Sequence, residues 1–158
     1  MERVPYNDTS VPEERSRGQV TGLLVEAGVL AIQWTDTPGS IKGIEMPVLQ
    51  FAVVRELRGV QQKFVIRIQT PLLEMEKGRG YSKKKMPNRN ASMRLLYWYV
   101  KSKLEAIQYG LEDFVEAFMP RILISLPNGR TETMADALKN SPQILSQVMQ
   151  LPEIEGSA

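Results

Sequence analysis

Apolar residues recur along this chain in two periods, and the changes from one to the other lay out its elements. Over 12–27, Val20, Leu23, Leu24 and Ala27 stand three and four apart, which puts them on one face of a helix. Its start is marked by Ser10 as a capping hydroxyl, Pro12 in the first turn, and Glu13 and Glu14 at the positive end of the helix dipole. Gly28 marks its end. Over 29–34 the chain is apolar and β-prone, and Asp36, Thr37, Pro38, Gly39 and Ser40 follow as a turn cluster, so a strand and a tight connection are expected. A longer run over 44–57 carries Val48, Phe51, Val53 and Val54, with Pro47 expected near the strand start or at an edge. Arg58 and Gly59 make the next turn. Beyond it Phe64, Ile66 and Ile68 alternate with Val65, Arg67 and Gln69, the pattern of a strand that buries one face. Three consecutive antiparallel strands result.

From 71 to 90 the chain is charged and interrupted by glycine, and Met86, Pro87 and Asn88 end any local structure, so an irregular loop is expected there. A strong helix then starts at Asn90 or Ala91, because Met93, Leu96, Val100, Leu104 and Ile107 form a stripe at helical spacing that stops at Gly110. The segment 111–119 reads as a shorter acidic helix with Phe114, Val115 and Phe118 inward. A short strand is expected over 121–126, with a turn at Pro127, Asn128 and Gly129. Two short helices close the chain, the first capped by Thr131 or Thr133 and reaching 139, the second opened by Ser141 and Pro142 and reaching 150. The expectation is a single α+β domain over 11–152: an N-terminal helix, a three-stranded antiparallel sheet covered by a long central amphipathic helix, and a small helical C-terminal region. A flexible terminus over 1–10 and a frayed tail over 153–158 flank it.

Composition narrows the chemistry. With 158 residues, 42% of them hydrophobic, the chain has enough material for one core and too little for two. No apolar run approaches the roughly 18 to 20 residues of a membrane span, and MERVPYNDTS is polar where a signal peptide turns basic and then apolar. A cytoplasmic protein with no membrane partner is expected. The chain has no cysteine, which removes disulfides, thiolate metal sites and cysteine nucleophiles, and no histidine, which removes the commonest general base and metal ligand. Only carboxylates with magnesium, carboxylate pairs, or a perturbed Lys or Tyr remain, so neither an enzyme nor a cofactor is expected. The cluster Glu112, Asp113 and Glu116 reads as acids at a helix start and on a solvated face, in preference to a magnesium site.

The distribution of charge is more telling than its sum. The formal net charge is +2, yet Lys77, Arg79, Lys83, Lys84, Lys85, Arg89, Arg94, Lys101 and Lys103 follow one another with no acid between Glu76 and Glu105. Those nine of the twenty basic residues leave eleven against eighteen acids elsewhere, so a strongly basic segment is set in an acidic remainder. Such a segment binds polyanions through phosphate contacts and counterion release. A basic loop over 74–90, with Gly78 and Gly80 to bend the backbone, leads into a helix on which Arg94, Trp98 and Lys101 share the face opposite the apolar stripe. Cations flanking an aromatic ring are the means of single-strand binding, although Trp98, Tyr97 and Tyr99 also suit a core. The candidate nucleic-acid-binding residues are therefore Lys77, Arg79, Lys83, Lys84, Lys85, Arg89, Arg94, Trp98 and Lys101. The partner expected is DNA or RNA, single strands included. The alternative is a protein-interaction module, a subunit or inhibitor that docks the basic segment on an acidic protein surface. Charge segregation of this kind also favours head-to-tail self-association into a homo-oligomer.

Helix, three antiparallel strands and a lysine triplet leading into a second helix is an order that resembles double-stranded RNA-binding domains. Gly78, Gly80, Ser82, Lys83 and Lys84 are similar to the lysine-rich entry those domains set against phosphates across a groove. The resemblance spans 12–107 and implies phosphate contacts by Lys83, Lys84 and Lys85. Met86 and Pro87, the absence of a histidine between the first two strands, and the long link over 72–80 depart from that pattern.

Overall fold

A computed structural model describes residues 4–38, 43–141, 143 and 146. The protein is α+β: helix α1 (Glu13–Glu26), strands β1 (Ala31–Pro38), β2 (Glu45–Leu57) and β3 (Val60–Gln69), a hairpin of β4 (Glu74–Lys77) and β5 (Lys84–Pro87), the long helix α2 (Arg89–Gln108), helix α3 (Phe114–Phe118), strands β6 (Leu123–Ser125) and β7 (Thr131–Thr133), and helix α4 (Met134–Asn140). No helix among the described residues is long and apolar enough to cross a membrane.

The main sheet is antiparallel in the order β1-β2-β3, and its register carries one side chain row straight across: Trp34 opposite Leu49 opposite Ile68, and Ile32 opposite Phe51 opposite Ile66. Because side chains alternate along a strand, that row faces one side. There it joins Val20 and Leu24 of α1, Met93, Leu96 and Val100 of α2, and Phe114 and Phe118 of α3 in one buried cluster. Phe51 meets the rings of Phe114 and Phe118 edge-on, at 6.3 and 5.5 Å. The Trp34 indole N–H donates to Thr21 Oγ1 at 3.1 Å and ties β1 to α1. On the opposite sheet face Ala31, Gln33 and Lys63 are exposed, while Met46, Val48 and Ala52 of the central strand are buried.

The helix stripes and the alternation of β3 match the sequence pattern except at Ala27, which is exposed as the C-cap of α1, and the turn at Arg58 and Gly59 forms with φ of 52° and 79°. The α1 helix ends at Gly28 in a Schellman pair, Gly28 N–H to Val25 O and Val29 N–H to Leu24 O. Several local expectations change. Pro12 precedes α1 without a capping side chain, and Asn90 Oδ1 of α2 accepts the Glu13 N–H instead, at 2.9 Å. Asp36, Thr37 and Pro38 lie in β1, not in a turn, because β2 offers them Pro47, Met46 and Glu45 as partners; Gly39 and Ser40 lie outside the described residues. Thr131–Thr133 pairs as a strand with β6 before Thr133 caps α4. The segment 71–90, expected as an irregular loop, contains the β4–β5 hairpin. Within 1–10, expected as a flexible terminus, Asn7 accepts a hydrogen bond from the Asn88 amide at 3.1 Å. The second C-terminal helix and the tail fall largely or wholly outside the described residues.

Candidate nucleic-acid interface

The basic-segment residues named from sequence divide among three places with different chemistry. The first is the β4–β5 hairpin. Its register sets Glu74 opposite Pro87, Met75 opposite Met86, Glu76 opposite Lys85 and Lys77 opposite Lys84. Alternation then gives the ribbon two unlike faces. One bears the Met75–Met86 pair and, about 7 Å further out, the Lys77–Lys84 pair. The other bears Glu74 and Glu76 with Lys85, and Lys83 Nζ stands 3.9 Å from Glu76 Oε2. The second face is thus neutralised, whereas the first carries two like charges directly opposite each other with no acid within ion-pair distance among the described residues. That arrangement costs the hairpin stability unless an anion bridges it.

The hairpin tip, with Gly78 at φ 117° and Gly80 at φ 60°, turns through backbone that other residues adopt only with strain. The turn presents Tyr81 with its whole ring in solvent. Arg79, Lys83, Lys84 and Lys85 are exposed beside it. At its base the hairpin is held firmly: Asn88 donates its N–H to Leu73 O at 2.7 Å and caps α2 through Ala91 N–H, while Leu73 N–H donates to Ser92 Oγ. A rigid root carries a projecting basic arm.

Arg89 occupies the second place, partly exposed where α1, β1 and β2 meet the start of α2. Its guanidinium donates to both Glu13 carboxylate oxygens at 2.9 and 2.8 Å, to Asp36 Oδ1 at 3.1 Å and to the Glu45 carbonyl at 2.7 Å. It clamps α1, β1 and β2 to the start of α2. The hydrogen bond to Glu13, outweighing the cost of burial, raises its pKa above an already high value. Read from sequence as a phosphate-binding residue, it is engaged here with two carboxylates and a carbonyl.

The third place is the outer face of α2. Trp98 is 40% exposed, with the Arg94 guanidinium 5.5 Å and the Lys101 ammonium 4.9 Å from its ring centroid. Tyr97 packs edge-on against it at 5.1 Å and lies under Arg94 at 4.2 Å. Tyr97 and Tyr99 rest on the core, so only Trp98 of the aromatic run faces outward. The cations are themselves engaged: Arg94 donates to Gln19 Oε1 at 2.6 Å, and Lys101 stands 3.8 Å from Glu105. This is a preformed cation and aromatic stack.

Tyr81, Met75 and Met86 carry no sequence signal of a site, since only strand pairing reveals that two methionines meet or that a tyrosine tops a turn. The acids Asp113 and Glu116 form a reciprocal cap on α3, and Glu112 stands 3.7 Å from Lys103. The lysine triplet lies in and just before β5, separated from the first turn of α2 by Met86, Pro87 and Asn88. Compared with known proteins, the chain matches no family model, no curated protein and no solved structure.

Proposed function

We propose that this protein is a non-enzymatic nucleic-acid-binding or accessory protein that grips a phosphate backbone through the β4–β5 arm. The observation that carries the reading is the Lys77–Lys84 pair: two cations held face to face, without acidic partners among the described residues, on a hairpin that projects from a rigid root. Arg79 and Lys85 extend the positive surface, and Arg94, Trp98 and Lys101 supply a second contact strip along α2. No base-edge reader stands out among the described residues, so affinity rests on phosphates and sequence specificity is not part of the reading. The protein works in the cytoplasm, and Arg89 takes no part in binding.

The test is the salt dependence of oligonucleotide affinity. Each phosphate contact contributes about 0.7 to 0.9 to the slope of log K against log salt, so Lys77→Ala with Lys84→Ala flattens it by about 1.4 to 1.8. Arg89→Ala leaves the slope unchanged.

A second reading has its own support. Tyr109 and Leu111, both about 80% exposed, stand at the turn between α2 and α3, and Leu57 and Gly110 line a surface cavity of about 540 Å³ there. Apolar side chains at that turn suit a protein-interaction module whose basic arm docks on an acidic protein surface, or a head-to-tail copy of this chain.

A further inference from the structure

We infer that the arm takes single-stranded nucleic acid, one strand lying along the face of Met75, Met86, Lys77 and Lys84 with a base stacked on Tyr81. The inference rests on the nucleic-acid reading above and adds which polyanion is held and by what. Three observations converge on it.

The first is the asymmetry of the ribbon. A two-stranded ribbon is narrow enough for the major groove of B-form DNA, where one face meets base edges and its flanks meet the phosphates. The Lys77–Lys84 pair stands on a face and not on a flank, so groove insertion would aim it at base edges and away from the phosphates. A single strand passing over that face sets its phosphates on Lys77 and Lys84, beside Met75 and Met86, with Glu74 and Glu76 pointing away. The deep, narrow major groove of A-form RNA excludes the arm on width alone.

The second is Tyr81. A ring with its whole surface in solvent loses apolar burial and gains no packing, so its presence at the tip is not explained by stability. Base stacking needs an accessible ring face and no particular base, which is what a fully exposed tyrosine offers.

The third is the order of chemistry along the arm. A methionine pair at the root and a lysine pair about 7 Å further along the strands lead to a tyrosine in the tip turn, so apolar and cationic groups alternate along the arm. A single strand likewise offers apolar base faces beside charged phosphates. A rigid duplex hides its base faces in the stack.

The experiment is fluorescence anisotropy with labelled oligo(dT), oligo(rU) and a dA·dT duplex of equal length, each against the full chain, with a polyglutamate competitor. The expected result is that at least one single strand binds about tenfold or more tighter than the duplex. Tyr81→Ala should lose about tenfold on single strands with the salt slope unchanged, and Tyr81→Phe should retain affinity. The two single strands separate DNA from RNA as the source. Equal binding of single strand and duplex, or a single-strand preference untouched by Tyr81→Ala, overturns the inference while leaving the phosphate-gripping arm in place if Lys77→Ala with Lys84→Ala still flattens the slope. Binding of none of the three nucleic acids overturns both. Polyglutamate competing as well as oligo(dT), with Tyr81→Ala neutral, overturns the inference in favour of an acidic protein partner.

Discussion

Two of the hairpins, β2–β3 and β4–β5, are of opposite character. In the first, strands of thirteen and ten residues pair, and the row of Leu49, Phe51, Val53, Ile66 and Ile68 is buried against three helices, so a slip of one residue would expose the whole set. In the second, four residues pair with four, little is buried, and a lysine faces a lysine. An isolated two-stranded hairpin is marginal in water, and this one carries an added repulsion at its outer pair. The comparison teaches that the second hairpin adds little to the core. Its anchoring bonds, from Leu73, Asn88 and Ser92, keep it attached while its composition is free to serve something outside.

Substitutions in the two hairpins and their surroundings should therefore separate stability from affinity. The largest expected effect is in the body: Phe51→Ala removes the ring that Phe114 and Phe118 pack against and should cost about 3 to 5 kcal/mol in urea unfolding, with the affinity of the remaining folded molecules unchanged. Next comes Arg89→Ala, which takes the guanidinium from Asp36 and leaves Glu13 with the more distant Arg17 at 3.4 Å. It should cost about 1 to 2 kcal/mol, the lower part of the range for charged hydrogen bonds because the side chain is partly exposed. If Arg89→Ala instead weakened oligonucleotide binding at full stability, the division between tie and arm would be wrong. Asn88→Ala should cost about 1 kcal/mol through removal of the α2 cap and should also loosen the arm, seen as faster amide exchange over 74–87. The smallest effect carries a reversed sign. Lys77→Glu replaces a like-charge pair with an opposite one, so exchange over the hairpin should slow while nucleic-acid affinity falls.

What can be read from sequence follows from what each element needs. The α1 and α2 stripes, the alternation of β3 and the Arg58-Gly59 turn all express local periodicity or local backbone demand, and each is written in consecutive residues. The β4–β5 pairing is not, because KGRGYSKKKMP has no apolar alternation to announce a strand; the ribbon is held by its own ladder and by anchors at Leu73 and Asn88. The residues from Asp36 to Pro38 are of types that favour a turn, and pairing with β2 outweighs that preference. Of the candidate site, the basic segment is visible as charge, but its division is not. Arg89 differs from Lys84 only through Glu13, Asp36 and Glu45, which are 76, 53 and 44 residues away in sequence. Tyr81 becomes a candidate only once a hairpin puts it at a tip.

The most direct measurement of the central claim is the slope of log K against log salt for an oligo(dT) ligand, taken for the wild-type chain and for the double variant Lys77→Ala with Lys84→Ala. The expected result is tight binding at low salt and a slope flattened by about 1.4 for the variant, as the removal of two phosphate-gripping charges from a single strand requires. An unchanged slope, or no binding by the wild-type chain at low salt, would contradict the assignment of the arm.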